Sequence, residues 1–135
     1  MALVDTNVLI DILADDAMWF DWSFDQLERA LRSGPVFIND VIYAEASIRY
    51  RTIEQFEFAI AKAGVVLVAV PKEALFVAGK AFTQYRRAGG TRTGVLPDFF
   101  IGAHAEATRL PLITRDPRRY RTYFPKVQLI APDAN

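Results

Sequence analysis

The chain has 135 residues, of which 52% are apolar and 24% charged, and its 16 acids balance its 16 bases. That describes one globular domain, 1–135, with room for a core, rather than a disordered segment. The absence of cysteine excludes disulfides, thiolate metal sites and cysteine nucleophiles, and the single histidine, His104, excludes a histidine-rich zinc site. With no basic leader and no apolar stretch of bilayer length, a soluble cytoplasmic protein is expected.

Ala2, Leu3 and Val4 form a short apolar run suited to a buried strand. Thr6 or Asn7 can cap a helix that runs through Ile12 and Leu13. A second helix is predicted over residues 20–32, with Phe20, Phe24, Leu27 and Leu31 on a core-facing stripe. Gly34 and Pro35 end it, and Val36, Phe37 and Ile38 read as a second strand. Asn39 is a good N-cap for a helix over 40–50, and Thr52 opens a capping box for another that stops at Gly64.

Residues 65–70 read as a third strand, followed by a helix over 72–88 with Leu75, Ala78, Phe82 and Tyr85 on one stripe. The glycine-rich stretch 89–94 is expected to be a flexible loop. A helix from about Asp98 to Arg109 precedes strands at 112–114 and 127–130. Apolar strands alternating with helices argue for an α/β fold with a parallel sheet. In such a sheet ligands collect at the carboxyl ends of the strands.

Four acids stand beside or inside apolar runs: Asp5, Glu45, Asp98 and Asp116. A carboxylate in such a place is costly unless something neutralises it, and several in one cleft raise each other's pKa unless a cation is bound. A site for a hard divalent metal with oxygen ligands is the economical explanation. Each acid also has a plainer reading. Glu45, flanked on a helix by Val41, Ile42 and Ile48, would suit a buried ion pair. Asp5, Asp98 and Asp116 could be helix caps. Thr6, Asn7 and Thr114 lie next to the acids and could orient a carboxylate or a metal-bound water.

Charge is unevenly spread. Residues 1–60 carry 11 acids and 4 bases, whereas residues 61–135 carry 5 acids and 12 bases. Arg92, Arg115, Arg118 and Arg119 are candidates for contacts to a polyanion, against the alternative of a solvated basic face. His104, among Phe100, Ile101, Ala107 and Thr108, is expected to be a packed structural residue. Trp19, Trp22 and Phe58 fall off the core-facing stripes of their helices and mark either a partner surface or a second packed side.

Taken together, the segments 3–10, 42–45, 96–105 and 112–116, with Arg119, Tyr120 and residues 123–125, resemble the PIN-domain ribonucleases. The likeness is greatest to the VapC toxins of bacterial toxin–antitoxin pairs. The resemblance implies a five-stranded parallel sheet flanked by helices, and Mg²⁺- or Mn²⁺-dependent endonuclease action on RNA. It implies that Asp5, Glu45, Asp98 and Asp116 form the acidic cluster, with Thr6, Asn7 and Thr114 in support. Asp5, Glu45 and Asp98 would then hold the principal ion, while Asp116 acts through water or completes a second site. It also implies a homodimer and a VapB-like antitoxin that inserts a helix or extended tail near the site, with the helices in the region of Trp19, Trp22 and Phe58 forming its groove. The rivals are a phosphatase with an aspartyl nucleophile, disfavoured by Asn7 where that chemistry wants a second acid, and a non-catalytic RNA-binding or regulatory module.

Overall fold

The structure, a computed structural model, describes residues 1–92 and 94–132. In chain order its elements are β1 (Ala2–Val4), α1 (Thr6–Leu13), α2 (Phe20–Ser33), β2 (Val36–Ile38), α3 (Asp40–Ser47) and α4 (Ile53–Ala63). There follow β3 (Val65–Leu67), α5 (Lys72–Arg87), α6 (Leu96–Thr108), β4 (Leu112–Ile113), α7 (Arg118–Tyr123) and β5 (Leu129–Ile130). The five strands form one parallel sheet in the order β3-β2-β1-β4-β5. The chain therefore builds outward from β1 on one side, then crosses to build on the other. The crevice that opens at such a reversal lies beyond the carboxyl ends of β1 and β4.

Register fixes what meets there. Val4 pairs with Ile113, so Asp5 and Thr114 leave their strands side by side. The Asp5 N–H still donates to the Ile113 carbonyl at 2.8 Å. Leu3, Val4, Val8, Leu9, Leu112 and Ile113 are fully buried around this seam. That apolar setting makes the carboxylate between Val4 and Thr6 so unusual.

Local chemistry sets most of the boundaries. Asn39 Oδ1 accepts from the N–H groups of Val41 and Ile42, each at 3.0 Å, and starts α3. Thr52 Oγ1 accepts from Gln55 N at 3.2 Å to start α4, and Gly64, at φ 83, ends it in the left-handed conformation. In α6 the place of Gly102 is dictated by packing: a Cβ there would fall inside the Phe124 ring.

Several expected limits move. Asp5, rather than Thr6 or Asn7, caps α1. Helix α3 stops at Ser47, leaving Ile48 82% exposed, so the stripe assigned to Glu45 is buried only through Ile42 and half-buried Val41. Strand β3, at the sheet edge, ends at Leu67, with the Val68 N–H donating a last bond to the Ile38 carbonyl at 2.9 Å. Helix α6 begins at Leu96, so Asp98 sits inside its first turn and is not the cap. Pro117 takes the cap position of α7, which displaces Asp116 from the expected cap–Pro pairing.

Two helical stripes also face differently from expectation. In α5 the core side is Ala74, Ala78 and Ala81, and Leu75 points outward, because small side chains let α5 lie close against α6. In α2 only Leu27 of the expected stripe is buried; Phe24 and Leu31 are exposed. These side chains line an open groove instead of the core.

Candidate functional site

Asp5 is 4% exposed, and both of its carboxylate oxygens accept hydrogen bonds. Oδ1 accepts from Thr6 N at 2.7 Å. Oδ2 accepts from Thr114 Oγ1 at 2.8 Å and from the Tyr120 hydroxyl at 2.9 Å. Burial nevertheless pushes the Asp5 carboxyl up to about 6. The Thr114 bond opposes that rise, the charge of Asp98 adds to it, and the Tyr120 and Thr6 bonds oppose it again. The three donors thus do not fully offset the cost of burying this anion.

The other acids gather around the same point. Thr6 Oγ1 donates to Glu45 Oε1 at 2.7 Å, which draws α3 to the start of α1. Asp98 is raised by burial, held back by Arg119, and raised again by the charge of Asp116. Tyr120, between them, is raised well above the usual phenol value by burial and then by Asp5, Asp98 and Glu45. Asp98 on α6 therefore acts on Asp5 just after β1, Asp116 after β4 acts on Asp98, and Glu45 on α3 acts on Tyr120 beside them.

They are not gathered into a ready chelate. Among the described residues no three of His, Asp and Glu lie close enough to hold one ion. Each acid takes another partner. Asp98 is ion-paired with Arg119, and Glu45 is held by Thr6. Asp116 is exposed, with Arg118 3.6 Å away, and its N–H donates to Thr114 Oγ1 at 3.1 Å. The donor set, all oxygen and mutually repelling, fits a hard divalent ion once Arg119 swings off Asp98.

Asn7 joins the frame, with its Nδ2 3.5 Å from Thr114 Oγ1 and its Oδ1 accepting from Arg115 N at 3.4 Å. Arg115 itself differs from expectation. Its guanidinium forks onto Asp11 at 2.8 and 3.0 Å, so it is not free for a polyanion as it stands. Arg92, Arg118 and Arg119 line a pocket of about 440 Å³ with Asp116, Thr122 and Tyr123. Trp19 is half-buried, edge-on to Trp22, with Arg115 above its ring, and Trp22 packs against the core. Both tryptophans are half-buried, whereas Phe58 on α4 is 73% exposed.

His104 is 2% exposed and its Nδ1 accepts from Asn39 Nδ2 at 3.1 Å, since Asn39 Oδ1 is taken by the helix cap. Burial holds its pKa down, opposed by Asp40, so it is a packed, neutral residue. Tyr120 and Asp11 were not singled out from sequence. Tyr120 lies inside an arginine run, but a second aromatic, Phe124, follows it at i+4, and both are 1% exposed.

The PIN domain family profile matches residues 2–125, and the chain belongs to that family. Its fold is similar to that of three solved assemblies. One is VapBC2 from Rickettsia felis bound to a promoter DNA fragment, with TM-score 0.74, 18% identity and 98% of each chain covered. Another is VapBC-1 from nontypeable Haemophilus influenzae, with TM-score 0.71, 16% identity and 96% of each chain covered. The third is a toxin–antitoxin complex from Klebsiella pneumoniae, with TM-score 0.62, 22% identity and 98% of each chain covered. No curated protein matches the sequence.

Proposed function

We propose that this chain is a metal-dependent endoribonuclease, the VapC-type toxin of a toxin–antitoxin pair. The observation that carries the reading is Asp5: a carboxyl buried at the sheet's reversal point and raised to about 6 by that burial, with the charge of Asp98 adding to the rise. Membership of the PIN family and the likeness to VapBC assemblies support it. Asp5, Glu45 and Asp98 would hold Mg²⁺ or Mn²⁺, with Asp116 reaching it through water or completing a second site. When bound, the ion supplies a water of lowered pKa and positive charge opposite the phosphodiester oxygens.

The chain's own groups set the stage for that chemistry. Thr114, Tyr120 and the Thr6 N–H fix the Asp5 carboxylate, and the Thr6 hydroxyl fixes Glu45. Were an ion held by Asp98, Arg119 would be free to leave that carboxylate for an RNA phosphate, and Arg92 and Arg118, in the same pocket, would bind neighbouring phosphates. Binding of this kind weakens steeply with salt.

The antitoxin would use the groove of about 530 Å³ between α1, α2 and α4, lined by Ile12, Leu13, Phe24, Leu27, Leu31 and Tyr50. An amphipathic helix fits such a groove by its apolar face. A second copy of the chain would cover exposed Val66 and Leu67 on the edge strand, and Leu75 and Phe76 on α5. Cytoplasmic residence belongs to the same reading; among the described residues no helix is long and apolar enough to cross a membrane.

The Arg119–Asp98 ion pair favours one second reading, a non-catalytic RNA-binding module whose acidic pocket is filled by its own arginine. One experiment separates the two. RNA cleavage that requires Mn²⁺, stops with chelator and is lost in Asp5→Asn supports the nuclease. RNA binding without cleavage and without Mn²⁺ uptake supports the module.

A further inference from the structure

A fifth acid lies outside the cluster. Asp11, on α1, is 1% exposed, and its charge is met on three sides. Arg115 Nε donates to Oδ2 at 2.8 Å and Nη2 to Oδ1 at 3.0 Å, while Ser23 Oγ from α2 donates to Oδ2 at 2.7 Å. The Arg115 guanidinium carbon sits 5.5 Å from the Trp19 ring centre, and the Arg115 N–H donates to Asn7 Oδ1. Arg115 is thus tied to α1 through both its main chain and its side chain.

Its neighbours in sequence are the two groups the site needs after β4. Thr114 Oγ1 bonds Asp5, and Asp116 bonds back to Thr114 through its N–H. Beyond Thr114, whose N–H still pairs with Ile130, side chains and not ladder bonds hold this segment. A planar fork on a buried carboxylate fixes a main chain far better than one flexible ammonium could.

We infer that Asp11 and Arg115 are a positioning pair, which locks the segment from Thr114 to Asp116 against α1 so that Thr114 meets Asp5 and Asp116 is held beside Thr114. Arg115 acts through the segment it carries and does not touch RNA. The kinetic part of this inference rests on the nuclease reading; the structural part does not.

The test uses Arg115→Lys, Arg115→Met and Asp11→Asn, with Arg29→Ala as control, since Arg29 pairs with Asp25 one turn away on α2. Amide hydrogen exchange on the folded proteins reads the positioning directly. The Asp116 amide should exchange at least tenfold faster in Arg115→Met than in wild type, while Leu3, in the β1 ladder, is unchanged. In Mn²⁺-dependent RNA cleavage, Arg115→Lys should lower kcat about ten- to hundredfold, as loss of a group orienting metal ligands does, and leave KM within threefold. An effect confined to KM and its salt dependence would overturn the inference and make Arg115 a phosphate contact. An Asp116 amide unprotected in wild type, or equally protected in all variants, would overturn it too. If wild type cleaves no RNA, the nuclease reading fails while the exchange result still decides the positioning role.

Discussion

Replacing Asp5 by Asn should make the metal-free protein more stable at neutral pH, although it removes the central group of the site. The carboxyl's pKa moves from 3.8 to about 6 on folding, so the folded chain holds that proton more tightly than the unfolded chain does. Its contribution is therefore favourable below pH ~3.8 and is lost as pH rises toward ~6. Two pKa units correspond to about 3 kcal/mol at pH 7. Asn escapes this penalty but meets the Thr114 and Tyr120 hydroxyls with an amide, which costs about 1 kcal/mol in imperfect hydrogen bonds. The net gain is about 1–2 kcal/mol, or roughly 4–7 °C in Tm for a chain of this size. Thermal melts in chelator at pH 4 and pH 7 measure it. The gain should be present at pH 7 and vanish or reverse at pH 4. A variant less stable than wild type at pH 7 in chelator would refute the claim that Asp5 is an electrostatically strained carboxyl.

Adding Mn²⁺ should raise the Tm of wild type, by about 2.7 kcal/mol of stability at a hundredfold excess over Kd, and leave Asp5→Asn unmoved. Tyr120→Phe removes a buried donor to Asp5, and denaturant unfolding should show a loss of about 1–2 kcal/mol, with reduced Mn²⁺ affinity by calorimetry. Arg119→Ala frees Asp98, so Mn²⁺ should bind severalfold tighter without RNA, while RNA affinity falls and its salt slope flattens. Gly102→Ala drives a methyl group into the Phe124 ring and should cost about 1–3 kcal/mol in chemical unfolding, with Mn²⁺ affinity of the folded fraction unchanged.

The parallel sheet and most helix limits were legible because each rests on local signals: apolar runs at β1, β2 and β4, the caps Asn39 and Thr52, and Gly64. The acids were legible for a related reason, since a carboxylate inside an apolar run has few cheap places to go. That same rule points to Asp11, which sits between Ile10 and Ile12, yet its partner Arg115 lies 104 residues away and no local pattern joins them. Tyr120 was hidden by the arginines around it, whose exposure says nothing about a side chain a turn away. The α2 stripe shows the opposite limit. Helical spacing of Phe24, Leu27 and Leu31 shows that one face is apolar, but not whether the core or an open groove receives it. Ion separation was also beyond sequence reading, because the rotamers of Asp98 and Glu45 are set by Arg119 and Thr6.

Manganese soaked into crystals of the wild-type protein and located by anomalous diffraction puts the shared-ion pocket to the most direct test. A peak bonded to Asp5 and Asp98, with Arg119 turned away from Asp98 and Glu45 within reach of the ion, is the expected outcome. Arg119 still seated on Asp98, with no manganese at Asp5 at saturating concentration, would contradict it.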